Sequence, residues 1–176
     1  MPRKLKNIEL NRLSKEAFKN AQKSPAVIVL NDIRSMSNVG SLFRTADAFR
    51  VEKICLCGIT ARPPHKDIRK TALGAEESVD WEGYENTLDC IHHYKEKGYE
   101  ILALEQTTGS VDIREWEINE NPFLLVLGNE VDGVSDEVLA ECDGILEIPQ
   151  YGTKHSFNVA VSGGIALWEL LSRNRP

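Results

Sequence analysis

Three short stretches of this chain gather most of the residue types that can act on a ligand. The first reads Asn38-Val39-Gly40-Ser41-Leu42-Phe43-Arg44-Thr45-Ala46 and the second Gly128-Asn129-Glu130-Val131-Asp132-Gly133-Val134-Ser135. The third is Ile148-Pro149-Gln150-Tyr151-Gly152-Thr153-Lys154-His155-Ser156-Phe157-Asn158-Val159. Arg44 interrupts an otherwise apolar helical pattern, where a guanidinium either snorkels to water or meets an anion. On a helix it aligns with Gly40 and Ser41, and only loosely with Asn38 six residues earlier. Glu130, between Gly128 and Gly133, is either a carboxylate held in a cleft or a turn residue. Ser156 and Asn158 both stand at capping distance from the helix that follows. A cap needs one of them, so the pair, with His155, exceeds it. The glycines and small polar residues let backbone groups come close to a ligand.

These loops begin where apolar runs end. Residues 26–30, 53–57, 99–104, 123–127 and 145–148 read as buried strands, with a further strand around 78–81. Between them, helical spacing predicts helices over 38–50, 66–73, 85–97, 135–141 and 159–173. The helix over 85–97 is closed by Gly98 at the position after its cap. Strand and helix in alternation predict an α/β fold, a parallel sheet with helices on both faces. Ligands then bind at the carboxyl ends of the strands, and all three polar loops lie there. They should form one composite site. The first strand is followed by Asn31-Asp32-Ile33-Arg34-Ser35-Met36-Ser37, which contains no glycine. That excludes the glycine fingerprints of dinucleotide-binding and P-loop proteins.

The charge of the chain is uneven. Its 176 residues carry a net −6, yet residues 1–24 hold seven basic against two acidic side chains. The arm is therefore +5 and the rest of the chain −11. Leu5, Ile8, Leu13, Ala17 and Phe18 have roughly helical spacing within residues 3–23, so the arm should be an amphipathic helix. The expected organisation is a basic helical arm over 1–24 and a single domain over 25–176. Arg3, Lys4, Lys6 and Arg12, with Arg62 and Lys66 from the body, are candidates for contacts with a phosphate backbone. Cys55, Cys57, Cys90 and Cys142 lack metal-ligand spacing and should be reduced packing residues. No metal is expected. Nor does any apolar stretch approach the roughly 20 residues of a membrane span. The N-terminus lacks the apolar core of a signal peptide, so the expected location is the cytoplasm.

The three stretches together resemble a known family. Asn38-x-Gly40-x-x-x-Arg44-Thr45-Ala46, Gly128-Asn129-Glu130-x-x-Gly133 and Ile148-Pro149-x-x-Gly152-x-x-x-Ser156-x-Asn158-Val159 look like the three motifs of the SpoU (TrmH) branch of the SPOUT RNA 2′-O-ribose methyltransferases. Their order and spacing agree over about residues 25–174. Ile148-Pro149-Gln150, Val161-Ser162-Gly163, Trp168-Glu169 and Leu104-Glu105-Gln106-Thr107 are most like the eukaryotic tRNA guanosine-2′-O-methyltransferases of the D-loop. The chain departs at Gln150 and Phe157, where many members have methionine and leucine.

The resemblance implies a C-terminal trefoil knot that holds S-adenosylmethionine bent, through backbone groups near Leu104, Gly128, Ile148 and Phe157. It implies methylation of a ribose in RNA, tRNA before rRNA, by an obligate homodimer whose cofactor sites lie beside the interface. Arg44, Asn38, Glu130, Ser156 and Asn158 are the implied catalytic residues. Arginine is a poor base. Arg44 is therefore expected to clamp the RNA phosphate and hydroxyl, with the proton leaving through a phosphate oxygen or water. Asn38 and Asn158 should orient Arg44 or the ribose, Ser156 should hydrogen-bond in the same cluster, and Glu130 should hold the loops or the nucleotide. A non-catalytic RNA-binding protein on the same fold is the alternative.

Overall fold

The computed structural model describes residues 1–117, 119 and 121–173, without the side chain of Asn7. Its first strand is β1 (Ser24–Asn31), whose Ala-Val-Ile-Val-Leu run is fully buried. Such a run fits a parallel sheet covered on both faces. The other strands are β2 (Val51–Cys57), β3 (Trp81–Tyr84), β4 (Glu100–Leu104), β5 (Val111–Asp112), β6 (Phe123–Leu127) and β7 (Gly144–Glu147). All pair in parallel, in the order β3-β2-β1-β6-β4-β7-β5. β6 inserts between β1 and β4, with Leu30 and Leu104 both in register with Leu127. The ends of the three central strands are thereby level, and the loops that leave them start side by side.

Helices α2 (Met36–Phe49), α3 (Lys66–Ala72) and α6 (Val159–Ser172) cover one face, packing on Ile28, Leu30, Leu125 and Leu127. Helices α4 (Thr87–Glu96) and α5 (Asp136–Leu139) cover the other, over Val27, Val29, Leu124 and Val126. The alternation of odd and even strand residues between the two clusters is the pleat of the sheet. Within α2, Val39, Leu42, Phe43 and Ala46 are buried, as their spacing predicts. Cys55, Cys57 and Cys90 are buried free thiols in the second cluster. Gly40 serves close packing: a β-carbon there would stand 2.2 Å from both Ile68 O and Thr71 Oγ1 of α3. No helix among the described residues is long and apolar enough to cross a membrane.

Three expectations are corrected. The strand expected around 78–81 is β3, which starts at Trp81, because Ala75–Glu77 form a 3-10 turn that delays it. β5 was not expected at all. It is two residues long, too short for periodicity to register, and it only extends the sheet edge beyond β7. The arm is not one helix. Asn7–Leu10 form a 3-10 turn, Asn11 is left-handed at φ 47°, and α1 (Lys15–Asn20) is a separate short helix. Phe18 alone is buried there, while Leu5, Ile8 and Leu13 are 60%, 87% and 50% exposed. A stripe with nothing to pack on cannot offset the cost of ordering a long helix.

Candidate active site at the strand ends

A cleft of about 710 Å³ opens where β4, β6 and β7 end. Leu104, Gly128, Ile148 and Phe157 line it, and so do Glu130, Ser156 and Asn158. Gly128 is glycine because the chain doubles back: a β-carbon there would lie 2.5 Å from Gly133 C and Val134 N. Asn129, which is buried, holds that return. Its side-chain carbonyl accepts the N–H groups of Val131 (2.8 Å) and Asp132 (3.1 Å), and its amide donates to Asp32 O at 2.7 Å. Such turns built on an asparagine side chain are a local alternative to regular structure.

Glu130 faces the N-terminus of α2. Its carboxylate accepts from the backbone N–H groups of Arg34 (3.0 Å) and Ser35 (3.1 Å) and from Asn38 Nδ2 (2.9 Å). Loss of water around the carboxylate pushes its pKa up, but the Arg34 N–H, the Asn38 amide and the Ser35 N–H outweigh this and hold it below the ordinary value. The helix terminus favours the same charge. Asn38 Oδ1 in turn accepts from Asn158 Nδ2 at 3.0 Å, and Asn158 Oδ1 caps α6 by accepting from Ala160 N at 3.0 Å. The direction of this relay is fixed by chemistry. A carboxylate only accepts, so Asn38 must turn its amide to Glu130 and its carbonyl to Asn158. Asn158 then has its carbonyl free for the helix. One line of hydrogen bonds thus joins all three polar stretches.

The remaining expected residues are placed differently. Ser156 lines the cleft but makes no hydrogen bond among the described residues. Arg44 is exposed on α2 and stands outside the cleft and the relay. It borders two other grooves, one with Lys15, Arg69 and Glu77 and one with Thr45, Lys70 and Gly164. Arg3 is paired with Glu9 at 2.6 Å, and Arg62 donates to Glu85 (3.0 Å) and Tyr84 O (3.2 Å). Lys4, Lys6, Arg12 and Lys66 are exposed.

Sequence reasoning quoted Leu104-Glu105-Gln106-Thr107 for the resemblance but gave Glu105 and Gln106 no part in the site. Glu105 Oε2 accepts from Val134 N at 2.9 Å and fills the place a Gly133 side chain would take, 2.3 Å from its β-carbon position. Gln106 Nε2 donates to His155 O at 2.9 Å. Their signal was a polar pair directly after an apolar strand, overshadowed by the longer motifs. Glu105, Glu130, Asp132, Asp136 and Glu147 all line the cleft, and among the described residues no lysine or arginine does. Such a lining suits a cationic ligand and repels phosphate.

A parallel α/β sheet whose ligand cleft is built from three interlocked loops at the carboxyl ends of β4, β6 and β7 defines the class. The chain belongs to the SpoU rRNA Methylase family, whose family model matches residues 25–168. It is 29% identical to a 23S rRNA (guanosine-2′-O-)-methyltransferase of Neisseria meningitidis, over 88% of this chain and 61% of that one. It is 31% identical to a tRNA (guanosine(18)-2′-O)-methyltransferase of Aquifex aeolicus, over 91% of this chain and 74% of that one. The structure is similar to that of an AdoMet-bound rRNA methyltransferase from Sinorhizobium meliloti, with a TM-score of 0.81 and 28% identity, covering 90% of this chain and 61% of that one. The chain thus spans about three fifths of the length of two of these three relatives.

Proposed function

We propose that this protein transfers a methyl group from S-adenosylmethionine to a ribose 2′-hydroxyl of RNA, with tRNA, and a D-loop guanosine in it, as the first-choice substrate and rRNA as the alternative. The observation that carries the reading is the relay Glu130–Asn38–Asn158 at the mouth of the acidic cleft. It joins the three stretches that the family shares, and it leaves polar atoms facing a space of cofactor size. The cleft fits the cofactor's chemistry: the carboxylates of Glu105, Glu130, Asp136 and Glu147 suit a sulfonium and an ammonium group, while Asp132 is paired with Arg34 at 3.3 Å. When bound, the cofactor supplies an electrophilic methyl on a good leaving group. What remains for the protein is alignment of the attacking oxygen and disposal of its proton. Asn158 and Asn38 present amide groups in a fixed direction, suited to orienting the ribose. Arg44 clamps the RNA phosphate beside the reacting hydroxyl, and the proton leaves through a phosphate oxygen or water.

Arg44 reaches the cleft from a second copy in this reading. Val161, Ile165 and Trp168 form an exposed apolar stripe along α6, and Gly164 of the same helix borders the groove of Arg44. Burying that stripe in a homodimer brings Arg44 of one copy toward the cleft of the other. The segment between β7 and α6 carries the trefoil knot of the fold, RNA phosphates meet the arm with Arg62 and Lys66, and the reaction takes place in the cytoplasm. The test is a map of 2′-O-methylation in total tRNA and rRNA from a deletion strain. A single lost ribose methyl, restored by the wild-type gene and not by Arg44→Ala, is the expected result. An unchanged map in both RNA pools would sink the proposal.

A further inference from the structure

We propose that the hydrogen bonds around the cleft form a closed circuit through which cofactor binding sets the Asn38–Asn158 pair, with Glu105 and Gln106 as its positioning residues. The inference rests on the cofactor reading above. The circuit can be followed atom by atom. Glu105 Oε2 accepts from Val134 N at 2.9 Å. The chain leads from Val134 back to Glu130, which accepts from Asn38 Nδ2 at 2.9 Å. Asn38 Oδ1 accepts from Asn158 Nδ2 at 3.0 Å. From Asn158 the chain leads back to His155, whose carbonyl accepts from Gln106 Nε2 at 2.9 Å. Gln106 adjoins Glu105 and donates its own N–H to Glu105 Oε1 at 2.8 Å.

The two halves of the circuit differ in stiffness. The half through Glu105 is wedged: Gly133 is left-handed at φ 69°, Glu105 occupies its side-chain space, and Gly128 admits no β-carbon. The half through Gln106 is loose. Residues 150–157 take part in no backbone–backbone hydrogen bond among the described residues, and residues 151–157 are exposed. Its hydrogen bond to the body runs from Gln106 to His155 O, and Tyr151 is 91% exposed. A ligand lying between residues 128–134 and 148–157 bridges the stiff half to the loose one. It thereby fixes the approach of Asn158 to Asn38. The free-energy coupling is reciprocal, so a set Asn38–Asn158 pair also favours the cofactor. Without the cofactor the Asn38–Asn158 bond, formed at 3.0 Å, is then held less firmly than with it, and productive binding runs cofactor first.

Asn38 offers the readout, because it does not line the cleft. The side-chain amide signals of Asn38 in nitrogen-15-labelled protein are followed as S-adenosylhomocysteine is added, with affinity measured by calorimetry. In the wild type these signals should move along the binding isotherm. Gln106→Ala, a change at an exposed side chain, should bind about fivefold to tenfold more weakly, as loss of one hydrogen bond implies. At saturation it should leave Asn38 near its ligand-free position. Glu105→Gln, which keeps one acceptor oxygen, should fall between the two. Full movement of Asn38 in saturated Gln106→Ala overturns the coupling. So does a wild type that binds the ligand with Asn38 unmoved. A wild type that binds no S-adenosylhomocysteine overturns the cofactor reading as well, which keeps the two failures apart.

Discussion

Glu130, Asn38 and Asn158 are joined by what each can donate, and that makes their substitutions unequal. Asn38→Ala removes the link from Glu130 to Asn158. Asn38→Asp should do more damage, because it sets a second carboxylate 2.9 Å from the first, where like charges repel. We expect kcat/KM to fall further for Asn38→Asp than for Asn38→Ala, and the reverse order would show that Asn38 bonds something other than Glu130. Glu130→Gln replaces one of two accepting oxygens with a donor facing other donors, and should lower kcat/KM by about tenfold or more. Its pH signature follows from the sign of the shift. The folded carboxyl pKa lies below the ordinary value, so its stabilisation is complete above the unfolded pKa of about 4.3 and is lost as pH falls through the folded value. The gap in Tm between wild type and Glu130→Gln should thus be constant from pH 8 to 5 and close in more acid solution.

At the scale of elements, three glycines in the three polar stretches do different things, and alanine tells them apart. Gly128→Ala would drive a β-carbon to 2.5 Å from Gly133 and Val134 backbone, and Gly40→Ala one to 2.2 Å from Ile68 O. Each should cost about 1–3 kcal/mol as overpacking, with cofactor affinity lost in the first and retained in the second. Gly152→Ala meets nothing within 4 Å and should melt like the wild type; thermal melts with and without S-adenosylhomocysteine check all three. The strands and α2 were legible because buried apolar runs and 3.6-residue spacing report burial directly. β5 was illegible because two residues carry no period. The arm misled because its spacing promises a helix while only the folded body could tell that Leu5 and Ile8 find no surface. The site was legible to the extent that its chemistry is local. Loops at strand ends placed Gly128, Ile148 and Asn158, but the meeting of Glu105 with Val134 depends on the side-by-side order β6-β4-β7. No spacing along the chain encodes it.

On the whole-molecule scale, one copy holds two incomplete halves of the proposed chemistry. Among the described residues no arginine or lysine lines the acidic cleft, whereas Arg44 stands on another surface beside basic Lys70 and the stripe of α6. Trp168, 62% exposed and 6.4 Å from Phe49 between ring centroids, lies in that stripe. Trp168→Glu should leave the fold intact, since the side chain supports little of the core, and convert a sedimenting dimer to a monomer without turnover. A wild type that sediments as a monomer at micromolar concentration would already refute the arrangement. Complementation asks the sharper question of whether Arg44 serves its own cleft or its neighbour's. Arg44→Ala and Asn158→Ala should each be inactive alone. Mixed after dissociation, half of the dimers are hybrids, and each hybrid has one cleft with Asn158 facing an intact Arg44 from the other copy. Activity should then return to about a quarter of the wild-type level. If Arg44 acts within its own chain, every cleft in the mixture lacks one of the two residues and nothing returns.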